Sequence, residues 1–316
     1  MTKRALVTGG AGFIGSHIAD ALLDRGFAVV VLDDLSSGRR ENIPAAAEFA
    51  ELDVRSAEAA RLVREGGFEV VIHQAAQIDV RKSVADPVHD ASVNILGALN
   101  LLEAVRAAAH RPRFVFASTG GAIYGDFVTP PNVEEYAKDP DSPYGIAKLA
   151  VEHYLAYYGR IHGLEGAVLR YANVYGPRQD PHGEAGVVAI FCNRLLEGKP
   201  LTVFGDGRQT RDYVHVKDVA VANAAVATAP LPALGRLDAR AMNIGTGVET
   251  DVITLADTLR RVSGRDVPIE FAPARIGEQQ RSAVSIDKVQ QVLGWTPQRS
   301  LAAGLKETFE FFAARR

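Results

Sequence analysis

Tyr144 and Lys148 stand four residues apart in Ser142-Pro143-Tyr144-Gly145-Ile146-Ala147-Lys148, at the head of a stretch with helical periodicity. On a helix that spacing puts both on one face, so a phenol and an ammonium can meet over one bound molecule. A free phenol titrates near about 10 and is a poor base at neutral pH. A neighbouring ammonium and a positively charged ring both favour the phenolate and bring it toward the working range. Tyrosine and lysine fall at this spacing often by chance. The pair gains meaning from Ser118-Thr119, hydroxyls at the end of an expected strand, and from a glycine-rich turn far upstream.

That turn is Thr8-Gly9-Gly10-Ala11-Gly12-Phe13-Ile14-Gly15-Ser16, which satisfies Gly-x-Gly-x-x-Gly from Gly10 and a second glycine spacing from Gly9. Glycines let the backbone turn tightly and approach a pyrophosphate. The free N–H groups around Gly12, Phe13, Ile14 and Gly15 then face the anion at the positive end of the following helix. A glycine turn that only packs strand on helix is the plain alternative. Against it, an expected second strand ends on Asp33, about twenty residues on, where a carboxylate takes both ribose hydroxyls and repels a 2′-phosphate. NAD is therefore expected over NADP, although Arg39 and Arg40 lie close enough to keep NADP open. Asp53 and Val54 follow another short run and suit an adenine pocket; a loop-capping aspartate is an equal reading.

The elements that position these residues can be read from periodicity. Apolar runs at 5–8, 29–33, 70–73, 114–118 and 167–171 read as strands, and helical segments at 16–25, 57–65, 92–108 and 144–162 separate them. Strands apolar throughout belong to a parallel sheet covered on both faces. Repeated strand–helix–strand units make an α/β, doubly wound (Rossmann) sheet, with its ligand outside the strand C-termini. After Asn173 the pattern breaks into Gly, Pro, Arg and Asn. Helices are expected at 187–197, 216–228, 254–263, 286–293 and 301–316, with a short strand at 201–204. The expected division is an NAD-binding domain over 1–172 and a smaller mixed α/β lobe for a second ligand over 173–316, segments of which are free to return to the sheet.

Composition sets the outer bounds. The 316 residues are 47% hydrophobic and 23% charged, with a net charge near −3. A nucleic-acid binder would normally carry a basic stripe. No apolar run reaches the about 20 residues of a membrane span, and the N-terminus runs into a strand without a signal-like apolar region. The expected home is the cytoplasm. The single cysteine, Cys192, excludes an internal disulfide and sits in an apolar helical stretch as a core residue. The eight histidines are scattered without metal-ligand spacing, so no metal is expected. His73 reads as structural, His215 and Asp218 as a helix start, Trp295 as a packing anchor.

Taken together, the glycine turn at 8–15, Asn94 with Gly97, Ser118-Thr119 before Tyr124-Gly125, and Tyr144 with Lys148 resemble the extended short-chain dehydrogenase/reductase family over nearly the whole chain. Leu32-Asp33-Asp34-Leu35-Ser36-Ser37-Gly38, Arg170-Tyr171-Ala172-Asn173-Val174-Tyr175-Gly176-Pro177 and Arg211-Asp212-Tyr213-Val214-His215-Val216 are most similar to its UDP-hexose 4-epimerase branch. The resemblance implies that Tyr144 removes the sugar hydroxyl proton, that Lys148 supports it and binds the nicotinamide ribose, and that Asp34, Ala75, Ala76, Asn94 and Tyr171 contact the cofactor. It implies a substrate side built from Asn173, Val188, Thr202, Phe204, Arg211, Arg275 and Glu278. Arg211 and Arg275 would clamp the diphosphate, and Phe204 would stack on uracil.

Two departures bear on the chemistry. The family's catalytic hydroxyl lies four residues before Tyr124, where this chain has Gly120. Its neighbour Thr119 is then the first candidate and Ser118 the second, and Gly120 and Gly121 are expected to leave room beside the sugar. A residue that in the family is a large tyrosine excluding N-acetyl groups aligns with Ser282, so UDP-GlcNAc and UDP-GalNAc are expected substrates beside UDP-glucose and UDP-galactose. Gly121 and Ala122 occupy the places where dehydratases of the group carry an extra acid/base pair. A UDP-glucuronate decarboxylase or 4-epimerase stays open, as does a non-enzymatic NAD-binding redox sensor, which would have no use for an intact Tyr144/Lys148 pair. The helices over 92–108 and 144–162 resemble those of a four-helix interface in the family, which implies a homodimer.

Overall fold

The computed structural model describes residues 2–126, 128–181, 186–274 and 279–315. Its strands are β1 (Arg4–Thr8), β2 (Ala28–Asp33), β3 (Glu48–Glu51), β4 (Val70–His73), β5 (Arg113–Thr119), β6 (Gly166–Tyr171), β7 (Asn173–Tyr175), β8 (Leu201–Phe204), β9 (Thr210–Arg211), β10 (Tyr213–His215), β11 (Ala241–Ile244), β12 (Thr250–Asp251), β13 (Ile269–Ala272) and β14 (Arg281–Ser282). The helices are α1 (Phe13–Leu23), α2 (Ala57–Glu65), α3 (Val80–Ala85), α4 (Pro87–Ala91), α5 (Gly97–Ala107), α6 (Pro143–His162), α7 (Val187–Glu197), α8 (Val216–Val226), α9 (Val252–Ser263), α10 (Asp287–Leu293) and α11 (Leu301–Ala313).

Seven parallel strands form the central sheet in the order β11-β6-β5-β4-β1-β2-β3. The order turns back between β1 and β4, and the glycine turn after β1 opens at that switch point, where such sheets bind dinucleotides. Each face is sealed by an apolar layer. Ile18, Leu22 and Phe27 with Val219 and Ala220 close one side, and Val63, Leu101, Leu102, Val151 and Leu155 close the other. Full burial on both faces is why the inner strands read as unbroken apolar runs. The edge strand β3, Glu-Phe-Ala-Glu, lacks that signature because only one of its flanks is paired.

β11 pairs with β6 in parallel register, Met242 opposite Leu169, so the chain returns to the sheet late. Beside the sheet, α7, α9 and α11 pack around Leu195, Leu201, Val203, Leu255 and Leu259 as a separate core. Three small sheets accompany it: β7 with β10, β8 with β13, and β9 between β12 and β14.

One expected helix is broken. The segment 92–108 divides into a π-helical turn at Ser92–Leu96 and the α-helix Gly97–Ala107. Asn94 inside the turn is drawn to the loop after β4, and Gly97 lets the chain pass Val54, whose Cγ2 would lie 2.8 Å from a β-carbon there. Wide turns of this kind concentrate at functional sites.

Candidate functional site

The amino end of α1 begins at Gly12 with no side-chain cap, so its N–H groups face outward at the C-terminal edge of the sheet. The turn is compact because bare α-carbons meet: a β-carbon on Gly15 would lie 2.2 Å from the Gly9 carbonyl oxygen, and one on Gly9 2.7 Å from the Ala75 nitrogen. A β-carbon on Gly12 would meet only the Gly9 oxygen, at 3.1 Å, which leaves the approach to the helix end clear. Phe13 and Ile14 open the helix. At the end of β2, Asp33 is buried and accepts N–H bonds from Ala11 at 2.9 Å and Leu35 at 2.8 Å. Burial raises its pKa above the usual carboxylate value, opposed by those two bonds. An uncapped helix end, a cleared approach and a buried carboxylate at the end of the second strand fit a dinucleotide with free ribose hydroxyls.

The remaining cofactor candidates divide. Ala75 borders the turn, its N–H bonded to the Thr8 hydroxyl at 3.2 Å, and Ala76 follows it, half-buried. Val54 is buried beside Gly97. Asp53 accepts from the backbone N–H of Arg55 at 2.8 Å and from its guanidinium, which holds the carboxyl below the usual range; this is the loop-capping arrangement. Asp34 is exposed, and its Oδ1 accepts from both the N–H and the hydroxyl of Ser36. Asn94 is buried, its Oδ1 accepting from Gln77 N and its Nδ2 donating to Gln77 O, both at 2.9 Å. Its amide thus fixes the loop beside the turn. Tyr171 turns its hydroxyl to Gln74 and Asn223, each at 2.9 Å, so the phenol is engaged inside the fold.

Helix α6 presents the Tyr/Lys pair. Ser142 caps it through the Gly145 N–H at 3.2 Å, Pro143 supplies a preset first turn, and Gly163 ends it in the left-handed region. Lys148 Nζ donates to the Ala117 carbonyl at 2.9 Å and lies 4.9 Å from the Phe116 ring centroid and 5.7 Å from that of Tyr144. Burial lowers Lys148 to about 8, against the pull of Asp90 and Glu152. The Tyr144 backbone N–H donates to Ser83 Oγ at 3.3 Å. Gly145 lets the helix dock on the turn after β5, since a β-carbon there would sit 2.8 Å from the Ala122 carbonyl oxygen.

The two hydroxyl candidates point into different surroundings. Ser118 is buried and donates to Glu152 Oε1 at 2.5 Å. Glu152 in turn receives Arg170, wholly buried, which also reaches the Tyr124 hydroxyl, the Glu134 carbonyl and Asp238. Removing one charged partner of the buried Arg170–Glu152 pair typically costs about 3–5 kcal/mol. Thr119 is half-buried at the open end of β5, and its Oγ1 lies 3.9 Å from the position of a β-carbon on Gly121. The expectation that both glycines leave room needs correction. Space beside Gly120 is filled by Val284, 2.8 Å from the position of its β-carbon, and only Gly121 faces open space, between Thr119 and Asn173.

On the lobe side, β14 lies parallel to β9 with Ser282 opposite Arg211, so the two sequence-distant candidates become neighbours. Asp212 holds this corner together: buried, it accepts from Thr246 N–H and hydroxyl, Gly247 N–H and Val284 N–H, while its carbonyl receives Asn173 N–H. Thr202 and Phe204 share the half-exposed face of β8, away from the lobe core. Val188 differs: it is buried within that core, among Phe191 and Leu195, and does not share their open face. Arg275 and Glu278 lie outside the described residues. Among the described residues no group of acidic, histidine or cysteine side chains is placed to hold a metal.

Several residues of this region escaped the sequence reading. Ser83, Asp90, Glu152 and Asp212 act through partners 34 to 72 positions away or through a neighbouring turn, a separation that periodicity does not register. His73 is buried, shares a 2.7 Å hydrogen bond with the Thr8 hydroxyl, and has its pKa lowered to about 3 by burial and then by the charge of Lys148.

Comparison with known proteins bears on the whole chain. The sequence pattern of the NAD dependent epimerase/dehydratase family matches residues 5–245. A UDP-glucose 4-epimerase from Mycolicibacterium smegmatis is 46% identical, covering 98% of both chains. The crystal structure of a UDP-glucose 4-epimerase with UDP-glucose from Thermotoga maritima superposes with a TM-score of 0.93 at 45% identity, over 99% of each chain. A Thermus thermophilus UDP-glucose 4-epimerase in complex with NAD gives 0.90 at 45% identity, over 99% of this chain and all of that one.

Proposed function

The chain belongs to the NAD dependent epimerase/dehydratase family, and from that premise we propose that it is an NAD-dependent isomerase interconverting UDP-glucose and UDP-galactose through a 4-keto sugar. The observation that carries this is the Tyr144 ring above the Lys148 ammonium, on the helix whose Gly145 docks against Ala122, next to Gly121, which faces Thr119 and Asn173.

NAD, when bound, would supply the acceptor and donor of the C4 hydride. The residues of this chain do the rest. Gly12, Phe13, Ile14 and Gly15 offer the helix end to its pyrophosphate, and Asp33 takes the adenosine ribose hydroxyls. Tyr144 takes the proton from the sugar O4 as the hydride leaves C4, and returns it to the ketone oxygen as the hydride comes back. Lys148 stabilises the phenolate and contributes an N–H to the nicotinamide ribose. Thr119 supplies the second hydroxyl at O4; Ser118 is disfavoured because its hydroxyl is bonded to Glu152. Arg211, with Arg275, holds the diphosphate by charge-assisted bonds while the sugar turns over. Residues 1–172 carry the cofactor and 173–316 the nucleotide-sugar, with β11 completing the sheet.

Substrate breadth follows from Ser282. A small side chain next to Arg211 admits an acetamido group, so UDP-GlcNAc is turned over as well, and Ser282→Tyr removes that activity selectively. Equal loss on both substrates contradicts the assignment. The enzyme is a cytoplasmic homodimer in this reading. Support comes from an apolar outer face on and beside α6, where Ile146, Tyr154, Tyr157 and Ile161 are 41 to 63% exposed and Val88 and Leu96 stand nearby. Among the described residues no helix is long and apolar enough to cross a membrane.

The test is incubation with UDP-galactose and NAD, followed by separation of the products. UDP-glucose forms without net NADH, and Tyr144→Phe stops its formation while NAD stays bound. Failure to interconvert the pair, with NAD retained, overturns the reading.

A further inference from the structure

One buried carboxylate beside α6 takes no part in the steps above. Asp90, on α4, is 1% exposed, and its Oδ1 accepts from Gln77 Nε2 and Asn94 Nδ2, each at 3.0 Å. Its Oδ2 is buried without a hydrogen-bond partner among the described residues. A carboxylate satisfied on one oxygen only is costly in a dry interior unless a positive charge compensates it. α4 packs against α6, and the buried cation there is Lys148, whose charged form is favoured first by Asp90 and then by Glu152. The second of these is already engaged, since Glu152 contacts the Arg170 guanidinium through both oxygens. Tyr144 on the same helix and His73 from β4 also interact with Lys148, and burial keeps His73 neutral; Arg81, Lys82 and His89, on the two short helices packed against α6, are exposed. Asp90 is therefore the carboxylate left to balance Lys148.

The same side chain reaches Tyr144 by a second route. Gln77, which donates to Asp90, also donates from Nε2 to the Asp79 carbonyl and accepts the Asp79 N–H. Asp79 caps α3 through the N–H groups of Arg81 and Lys82. Ser83 on α3 accepts the Tyr144 backbone N–H. One carboxylate thus underlies both members of the pair.

We propose that Asp90 is a positioning residue of the epimerase reaction, acting on Lys148 as its buried counter-charge and on Tyr144 through Gln77, Asp79 and Ser83. The inference rests on the function proposed above. Its signature is in pH, because a lysine that loses its counter-charge gives up its proton earlier as pH rises, and the phenolate then loses its cation.

Asp90→Asn keeps the shape and the Oδ1 acceptor while removing the charge. Turnover of UDP-galactose is measured against pH for the NAD-loaded wild type and variant. The alkaline limb of kcat is expected to move down by about one pH unit in the variant. KM for the sugar should stay the same. A uniform fall in kcat with the limb unmoved means a merely structural role and overturns the proposal. Should Asp90→Asn not fold, Asp90→Ser is compared with Asp90→Glu. A limb moved in Ser and restored in Glu supports the counter-charge; a limb unmoved in Ser overturns it. Wild type inactive on UDP-galactose at every pH removes the functional reading and this inference with it. Active wild type with an unmoved limb in the variant removes this inference alone.

Discussion

Thr119 and Ser118 are adjacent, yet substitution at each should read out differently. Thr119→Ala removes a hydroxyl from the open end of β5, and kcat is expected to fall about 10²-fold or more, the usual worth of a proton-handling group, with thermal stability unchanged. Ser118→Ala removes a bond to a buried carboxylate, so stability should fall by about 1–3 kcal/mol while kcat in the folded enzyme changes little. Denaturant melts beside steady-state rates check both, and the reverse pattern would reassign the hydroxyl. At this scale the sequence was most informative where one residue type has one physical use, as with Gly15, Asp33 and Lys148. It was least informative where a side chain had a choice of partners. Nothing in the order Ser118-Thr119 tells that one hydroxyl turns inward to Glu152. The order of residues around Asn94 likewise carries no sign that its amide holds the Gln77 backbone.

Elements set the distances between those residues, and α6 is the one on which the chemistry depends most. Ala is the better helix former by about 1 kcal/mol, so Gly145→Ala would stabilise an isolated α6. In the folded protein the added carbon meets the Ala122 oxygen at 2.8 Å, and the helix start must move away from the turn carrying Thr119 and Gly121. The expected result is a loss of about 10²-fold in kcat, the cost of a misplacement near 1 Å, with NAD binding retained. Unchanged kcat would mean that the turn gives way instead. Periodicity sufficed for α6, α7 and the inner strands. It missed β3, a polar edge strand, and β11, four residues that reach the sheet only after the lobe has begun. It also joined α5 to the π-helical turn, because the tertiary pull on Asn94 leaves no mark in the spacing of apolar residues.

For the molecule as a whole, the proposed function has the sheet supply one ligand's end and the lobe the other's, with the site between β5 and α6 on one side and β9 and β14 on the other. A closed two-copy assembly would cover the apolar outer face of α6. Tyr157→Glu should place a charge in that interface and convert a dimer to a monomer in sedimentation. A wild-type monomer at micromolar concentration would count against the homodimer. The central claim is narrower than the assembly: the hydrogen removed from sugar C4 is the one put back. It is tested most directly with UDP-galactose carrying deuterium at C4, in the presence of added unlabelled NADH. The UDP-glucose formed is expected to retain the label at C4 in full; loss of label to solvent or to the added NADH would contradict the account.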